Sequence, residues 1–158
     1  MGQEHKISKD AIKVFRIKEF IGVIVIFVIL LVFLKFSPYF KFKNIITNIL
    51  IVIIALNFIS ALFFPKVEYK NWSYYMEADK VIIKSGVFVI KTVVIPIKRI
   101  QYVDTSIGPI LSRFGLTNLT IYTAGGKYEI PALLNNIAKE LQENITNSVV
   151  RSLNEDEI

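Results

Sequence analysis

The segment 98–115, KRIQYVDTSIGPILSRFG, contains the side chains best suited to bind a charged or polar partner: Lys98, Arg99, Gln101 and Arg113. Ammonium and guanidinium groups donate charge-assisted hydrogen bonds to carboxylate or phosphate oxygens, and a glutamine amide both donates and accepts. These residues therefore predict a surface for anionic lipid or a protein partner, with Arg99 and Gln101 as the partner-facing pair. The alternative is a structural role, which is common for charged residues in the loops of a small β domain. In that case Arg99 and Arg113 pair with Asp104 or cap loop carbonyls.

The sequence lacks most of the residues that usually carry out catalysis. The chain has no cysteine, which excludes disulfides, thiolate metal sites and cysteine nucleophiles. Its only histidine is His5, which we expect in a solvated tail, so the rest of the chain has no imidazole base. Gly125-Gly126 predicts a hairpin turn rather than a phosphate loop, because the GxxxxGK[ST] pattern is missing. We therefore expect no catalytic residues, no metal site and no cofactor.

Two apolar runs predict membrane-spanning helices in a chain that is 53% hydrophobic. Residues 20–34 carry no charge, and snorkelling of Lys35 extends this span to residue 36. Residues 45–64 are also uncharged, and at about 1.5 Å per residue they reach the roughly 30 Å of a hydrocarbon core. The linker between these spans is short and contains Pro38, so we expect an antiparallel helical hairpin.

The basic residues predict the orientation of this hairpin. Seven lie beside the two ends of the hairpin, namely Lys6, Lys9, Lys13, Arg16, Lys18, Lys66 and Lys70, and three lie in the linker, namely Lys35, Lys41 and Lys43. The positive-inside rule therefore predicts that both termini lie in the cytoplasm of a multi-pass protein of a bacterial cell membrane. Membrane topology also explains much of the net charge of +6, so no nucleic-acid partner is expected.

Two polar residues lie within the second span. Asn57 and Ser60 are three residues apart and share a helix face with Ala61 close by. Small and hydrogen-bonding residues are typical of contacts between membrane helices, so we interpret this pair as a helix-packing patch. A transport site is the alternative, but neither span contains an acidic residue that would support an ion pathway.

From residue 66 onward, the pattern changes to short strands. Strands are predicted at 68–76, 81–84, 87–95 and 97–103, with a hairpin formed by 119–122 and 127–130. In 97–103 the alternation predicts one face with Lys98, Ile100 and Tyr102, and an opposite face with Arg99 and Gln101. Pro131 then predicts the start of an amphipathic helix, with apolar residues at Leu134, Ile137, Ala138, Leu141 and Ile145.

Several short motifs occur in a specific order. They are Trp72-Ser73-Tyr74-Tyr75, the strand–SerGly–strand unit at 80–95, Ile95-Pro96, Arg99-Ile100-Gln101, Gly108-Pro109, Arg113-Phe114-Gly115-Leu116, Thr123-Ala124-Gly125-Gly126 and Ile130-Pro131. Together they resemble the second family of bacterial pleckstrin-homology domains, found in YdbS-like membrane proteins. The resemblance covers roughly residues 66–150, and two preceding membrane helices are also typical of that family.

The resemblance implies a pleckstrin-homology-like β domain with two antiparallel sheets, about seven strands and a closing C-terminal helix. It implies a cytoplasmic domain on a bacterial membrane protein. It does not imply a particular activity, because the family as a whole has no well-established biochemical one. It also implies a partner that is a larger relative with several such domains. It does not carry over a phosphoinositide site, because the dense basic pattern expected around the Lys84-Ser85-Gly86 loop is missing.

The predicted organisation has four parts: a basic N-terminal segment at 1–19, the transmembrane hairpin at 20–64, the pleckstrin-like domain at 66–150 and an acidic tail at 151–158. The leading functional hypothesis is a non-enzymatic membrane-anchored adaptor that presents its domain to a membrane protein partner. The alternatives are an anionic-lipid sensor that uses Lys98, Arg99 and Arg113, and an accessory subunit of a transporter. Homo-oligomerisation stays open.

Overall fold

The computed structural model describes residues 4–36 and 41–155 of the 158-residue chain. The chain divides into two units: a helical unit of residues 12–67, and a β unit that joins the residues up to Ala11 with those from Glu68 onward. The predicted turn at Pro38 lies outside the described residues, and so do the last three residues of the predicted acidic tail.

Two long helices, α1 (Ala11–Phe36) and α2 (Lys43–Asn71), are each long and apolar enough to cross a membrane. The rings of Phe20 and Phe58 pack edge to face at 5.9 Å, one from each helix. Both helices extend beyond the apolar runs, so α1 begins inside the basic segment, and α2 continues through Pro65 into residues predicted as strand. Elongating a formed helix adds a hydrogen bond without a new nucleus, which explains this extension.

The first sheet of the β unit contains four antiparallel strands in the order β1 (Glu4–His5), β2 (Ser73–Met76), β3 (Lys80–Ser85) and β4 (Lys91–Pro96). His5, expected in a solvated tail, is exposed, but the tail is wrong: His5 pairs with Tyr74 of β2 and their rings stack at 5.5 Å. Residues 87–90, predicted as strand, form the loop between β3 and β4 instead. This loop follows Gly86, whose φ of 137° ends the β3 conformation.

The second sheet contains β5 (Ile100–Ser106), β6 (Leu116–Thr123) and β7 (Gly126–Leu134), also antiparallel. A 3₁₀ turn (Ile97–Arg99) precedes β5, the short helix α3 (Pro109–Arg113) joins β5 to β6, and α4 (Asn135–Glu155) closes the chain's described part. The predicted hairpin is confirmed. The predicted helix start at Pro131 is wrong, because Pro131 and Leu134 belong to β7.

The core of the β unit is made from both sheets and α4. Its fully buried side chains include Val81, Leu119, Ile121, Ile130 and Ile145. Helix α4 packs against the 3₁₀ turn and against β5, β6 and β7, so its apolar face covers the second sheet. Two apolar helices, two antiparallel sheets and a C-terminal helix confirm the predicted fold class.

Candidate functional site

An open cleft of about 470 Å³ lies in the β unit, between the end of β4, the 3₁₀ turn, the start of β5 and the β6–β7 hairpin. Three predicted binding residues, Lys98, Arg99 and Gln101, line this cleft. Apolar surface is supplied by Val94, Pro96 and Tyr128 among others. The structure thus brings together two cations, one amide and an aromatic ring on one concave surface.

The 3₁₀ turn explains why both cations point outward. A 3₁₀ helix has three residues per turn, so Ile97 and Ile100 lie on the same side, and both are buried. The backbone N–H of Ile97 donates to the carbonyl oxygen of Asp79 at 2.9 Å, which ties the turn to the chain segment before β3. Lys98 and Arg99, between the two buried isoleucines, are therefore displayed at the surface.

The predicted strand alternation at this segment is wrong. It assigned Lys98, Ile100 and Tyr102 to one face, whereas Ile100 is buried and the other two are exposed. The period of 2 fails because residues 97–99 form a 3₁₀ turn and the strand begins only at Ile100. Arg99 is consequently not a strand residue, although it shares the cleft with Gln101.

The opposite wall of the cleft is a tight hairpin turn. The Thr123 hydroxyl donates to the carbonyl oxygen of Gly126 at 3.0 Å and accepts from the N–H of Gly125 at 3.2 Å. Gly126 has a φ of 138°, a conformation that favours glycine. These glycines therefore form the predicted hairpin turn, which presents a short polar edge to the cleft.

Arg113 does not belong to this group. It is the last residue of α3, it is exposed, and it does not line the cleft. Among the residues that the structure describes, no ion pair joins Asp104 to Arg99 or Arg113, and Asp104 instead accepts a hydrogen bond from the N–H of Thr105 at 2.7 Å. The three-cation set of the lipid hypothesis is thus divided between the cleft and α3.

A smaller groove of about 220 Å³ lies beside α4 and includes His5, Tyr74 and Glu140. Burial, and secondarily the Glu140 carboxylate, raise the pKa of Tyr74, because both disfavour a charged phenolate. This groove could not be predicted, since a two-residue strand such as β1 is too short for a detectable alternation in the sequence.

The polar pair in α2 bonds within its own helix. The Asn57 amide donates to the carbonyl oxygen of Ile53, and the Ser60 hydroxyl donates to the carbonyl oxygen of Asn57, both at 2.8 Å. Both residues line a shallow, largely apolar groove of the helical unit, and Ala61 beside them is fully buried. Within the described part of the chain, no group of His, Cys, Asp and Glu is arranged to hold a metal ion.

Comparison with known proteins shows similarity to one protein family and to two individual proteins. Residues 12–149 match the family described as "Bacterial PH domain". The "UPF0699 transmembrane protein YdbS" of Bacillus subtilis (strain 168) is 35% identical over 144 residues, which are 90% of this chain and 91% of that protein. The "UPF0699 transmembrane protein YdbT" of the same organism is 38% identical over 85 residues, which are 54% of this chain and 17% of that protein.

A crystal structure is also similar to part of the chain. It is that of a DUF1696 family protein with a pleckstrin-homology domain from Shewanella loihica PV-4, with a TM-score of 0.38 and 13% sequence identity. The similarity covers 49% of this chain and 70% of that one.

Proposed function

The chain belongs to the bacterial PH domain family, and we propose that it is a non-enzymatic adaptor whose cleft binds a segment of a membrane protein partner. It is a membrane protein, similar over nine-tenths of its length to a transmembrane protein. The observation that carries the proposal is the cleft that unites Lys98, Arg99 and Gln101.

The chemistry of the cleft favours an acidic and partly apolar protein segment. Lys98 and Arg99 provide positive charge, Gln101 can bond a backbone amide, and Tyr128 and Val94 provide apolar surface. Strand β4, which contributes Val94, is an edge of the first sheet as described. A partner segment could therefore add main-chain hydrogen bonds beside β4 while its acidic side chains reach the two cations.

Anchoring by α1 and α2 would strengthen such an interaction. Confining the domain and its partner to one membrane raises their effective concentration, so a modest cleft can support a stable complex. A larger relative with several such domains is our preferred partner, and the similarity to one part of a longer protein supports this choice. We place both termini, and therefore the domain, in the cytoplasm.

Co-purification from native membranes tests the proposal. Tagged full-length protein is isolated in mild detergent, and co-eluting proteins are identified and quantified by mass spectrometry. We expect a stoichiometric membrane protein with the unaltered chain, and its loss with Arg99→Ala or Gln101→Ala. Arg113→Ala is the matched control, because it also removes one exposed arginine but lies outside the cleft. Equal partner recovery with Arg99→Ala and Arg113→Ala would show that the cleft is the wrong surface.

Anionic lipid is the second candidate ligand of the cleft, supported by the adjacent cations Lys98 and Arg99. Lipid analysis of the same eluates distinguishes it from the adaptor function. Retained anionic lipid that is lost with Arg99→Ala, in the absence of a protein partner, would favour lipid sensing. The transporter hypothesis has the weakest support, because the Asn57 amide and the Ser60 hydroxyl each donate a hydrogen bond to a backbone carbonyl within α2.

A further inference from the structure

The loop between β3 and β4 displays three consecutive large apolar side chains. Phe88, Val89 and Ile90 are 82%, 69% and 59% exposed, respectively. These fractions equal or exceed those of most outward-facing residues of α1 and α2, although the loop belongs to the β unit. Contiguous apolar surface of this kind marks a place of contact with a membrane or a protein.

The loop is built as a tight turn that holds these side chains outward. Gly86 has a φ of 137°, and a Cβ at this position would collide with the carbonyl oxygen of Val89. The Asn71 amide donates to the Gly86 carbonyl oxygen at 2.9 Å, which fixes the first residue of the turn. The apolar surface is therefore a defined structural feature of the domain.

The charge around the loop matches an anionic membrane surface. From Val81 to Ile95, the two strands that meet at the loop contain two basic residues, Lys84 and Lys91, and no acidic residue. Lys84 and Lys91 lie on the two strands that lead into and out of the loop. Basic residues beside an exposed aromatic and aliphatic group are the combination that binds the interface of a bilayer containing anionic lipid.

The chain itself brings a bilayer within reach of the loop. Asn71 lies seven residues after Phe64, where the apolar run of α2 ends, and its side chain is bonded to the Gly86 carbonyl at the base of the loop. Even a fully extended chain of seven residues spans only about 25 Å. A lipid surface is therefore an occupant that the membrane anchor of the chain supplies, whereas a protein partner or a second copy must come from elsewhere.

We propose that the loop Val87–Ile90 inserts into the interface of the bilayer that anchors the chain, with Lys84 and Lys91 contacting anionic headgroups. The loop is separate from the cleft, since none of its residues lines it. Insertion would fix the orientation of the domain and leave the cleft available to a partner. This inference stands even if the adaptor proposal fails.

Site-specific fluorescence quenching tests this proposal, because the natural chain has no cysteine. Full-length Val89→Cys is labelled with an environment-sensitive fluorophore and reconstituted, one copy per nanodisc, in phosphatidylcholine with phosphatidylglycerol. Lys127→Cys, at an exposed position in β7, is the matched control. Insertion to about 5–10 Å predicts at least about twofold more quenching of the Val89 label by acyl-chain quenchers, and less by aqueous iodide, than of the control.

Charge reversal supplies a second measurement. Lys91→Glu is expected to reduce acyl-chain quenching of the Val89 label, whereas Lys127→Glu leaves it unchanged. Equal iodide access at positions 89 and 127 would overturn the proposal. Protection of position 89 only in nanodiscs that hold two copies would also overturn it, because that result assigns the apolar loop to a contact between copies.

Discussion

The side-chain amide of Asn71, the last residue of α2, donates a 2.9 Å hydrogen bond to the carbonyl oxygen of Gly86, the residue directly after β3. The two residues are fifteen positions apart, and both lie in the β unit. This bond joins the residue that leads out of the membrane helix to the turn that carries the exposed apolar loop. The conformation of Gly86 is therefore important for the domain.

Gly86→Ala should destabilise the β unit by about 1–3 kcal/mol, because its φ of 137° is strained for a residue with a Cβ, which would also collide with the Val89 carbonyl. Denaturant unfolding in detergent, followed by the fluorescence of the single tryptophan, Trp72, measures this change. Gly125→Ala is the control, since its added Cβ meets only the Thr123 hydroxyl at an ordinary 3.8 Å. Equal stability of the two variants would contradict the strain argument.

Much of the fold could be predicted from the sequence, because long apolar runs and a period of 3.6 or 2 are strong local signals. The two long helices, the β6–β7 hairpin and the apolar face of α4 followed from such patterns. The prediction was weakest where tertiary contacts decide the structure. Strand β1 exists only because β2 offers an edge, and two residues carry no periodic signal.

The candidate site could be predicted in part, by residue type rather than by geometry. Lys98, Arg99 and Gln101 share the cleft, but the reason is a 3₁₀ turn rather than a strand face. Arg113 is separate, because the short helix α3 carries it away from the cleft. Nothing in the local sequence reports how far apart two loops lie once the sheets form.

Pro131 was misassigned because β7 contains an irregularity that resembles a strand end. The register between β6 and β7 shifts between Thr117 and Leu119, and Ala132 beside Pro131 adopts a φ of 51°. A proline in an irregular strand segment does not break the ladder, whereas in a regular central strand it would. The sequence Ile130-Pro131 therefore fits both a strand irregularity and a helix start.

Asn118→Ala should destabilise the β unit by about 1–3 kcal/mol. The Asn118 side-chain carbonyl accepts a 3.0 Å hydrogen bond from the N–H of Ala132, which is fully buried, so the variant leaves that donor without its partner. Asn147→Ala, on the exposed surface of α4, is the control and should change stability by no more than about 0.5 kcal/mol. The same denaturant titration compares them, and a neutral Asn118→Ala would show that the Ala132 bond is not needed.

The raised pKa of Tyr74 predicts alkaline sensitivity. In the unfolded chain this tyrosine loses its proton near its usual pKa of about 10, whereas burial and then Glu140 keep the folded form protonated to higher pH. The unfolded state therefore binds fewer protons than the folded state above pH 10. As a result, the contribution of Tyr74 to the free energy of unfolding is constant below that pH and declines as the pH rises toward the folded pKa.

Tyr74→Phe should reduce this decline, and Glu140→Gln should reduce it by a smaller amount, because Glu140 is the secondary cause of the shift. The free energy of unfolding is measured from pH 8 to about pH 11 for the three chains. The comparison between chains cancels the titration of the remaining tyrosines. An identical slope for Tyr74→Phe and the unaltered chain would contradict a raised pKa at this position.

The distribution of basic residues predicts which side of the membrane each loop faces. Lys41 lies in the linker between the spans, and Lys127 lies in the β6–β7 hairpin of the domain. Because basic residues are more numerous beside the termini, the linker should face outward and the domain inward. An impermeant maleimide should label Lys41→Cys in intact spheroplasts, and Lys127→Cys only after lysis.

The cysteine-free chain is the background for both variants, so any label reports the introduced residue alone. Lysed spheroplasts provide the control for reactivity, because both cysteines are at exposed positions and should then react. Labelling of Lys127→Cys but not Lys41→Cys before lysis would invert the topology. In that case the cleft and the apolar loop would face the outer surface, and the partner would have to be sought there, since the three basic linker residues would have outweighed the seven beside the termini.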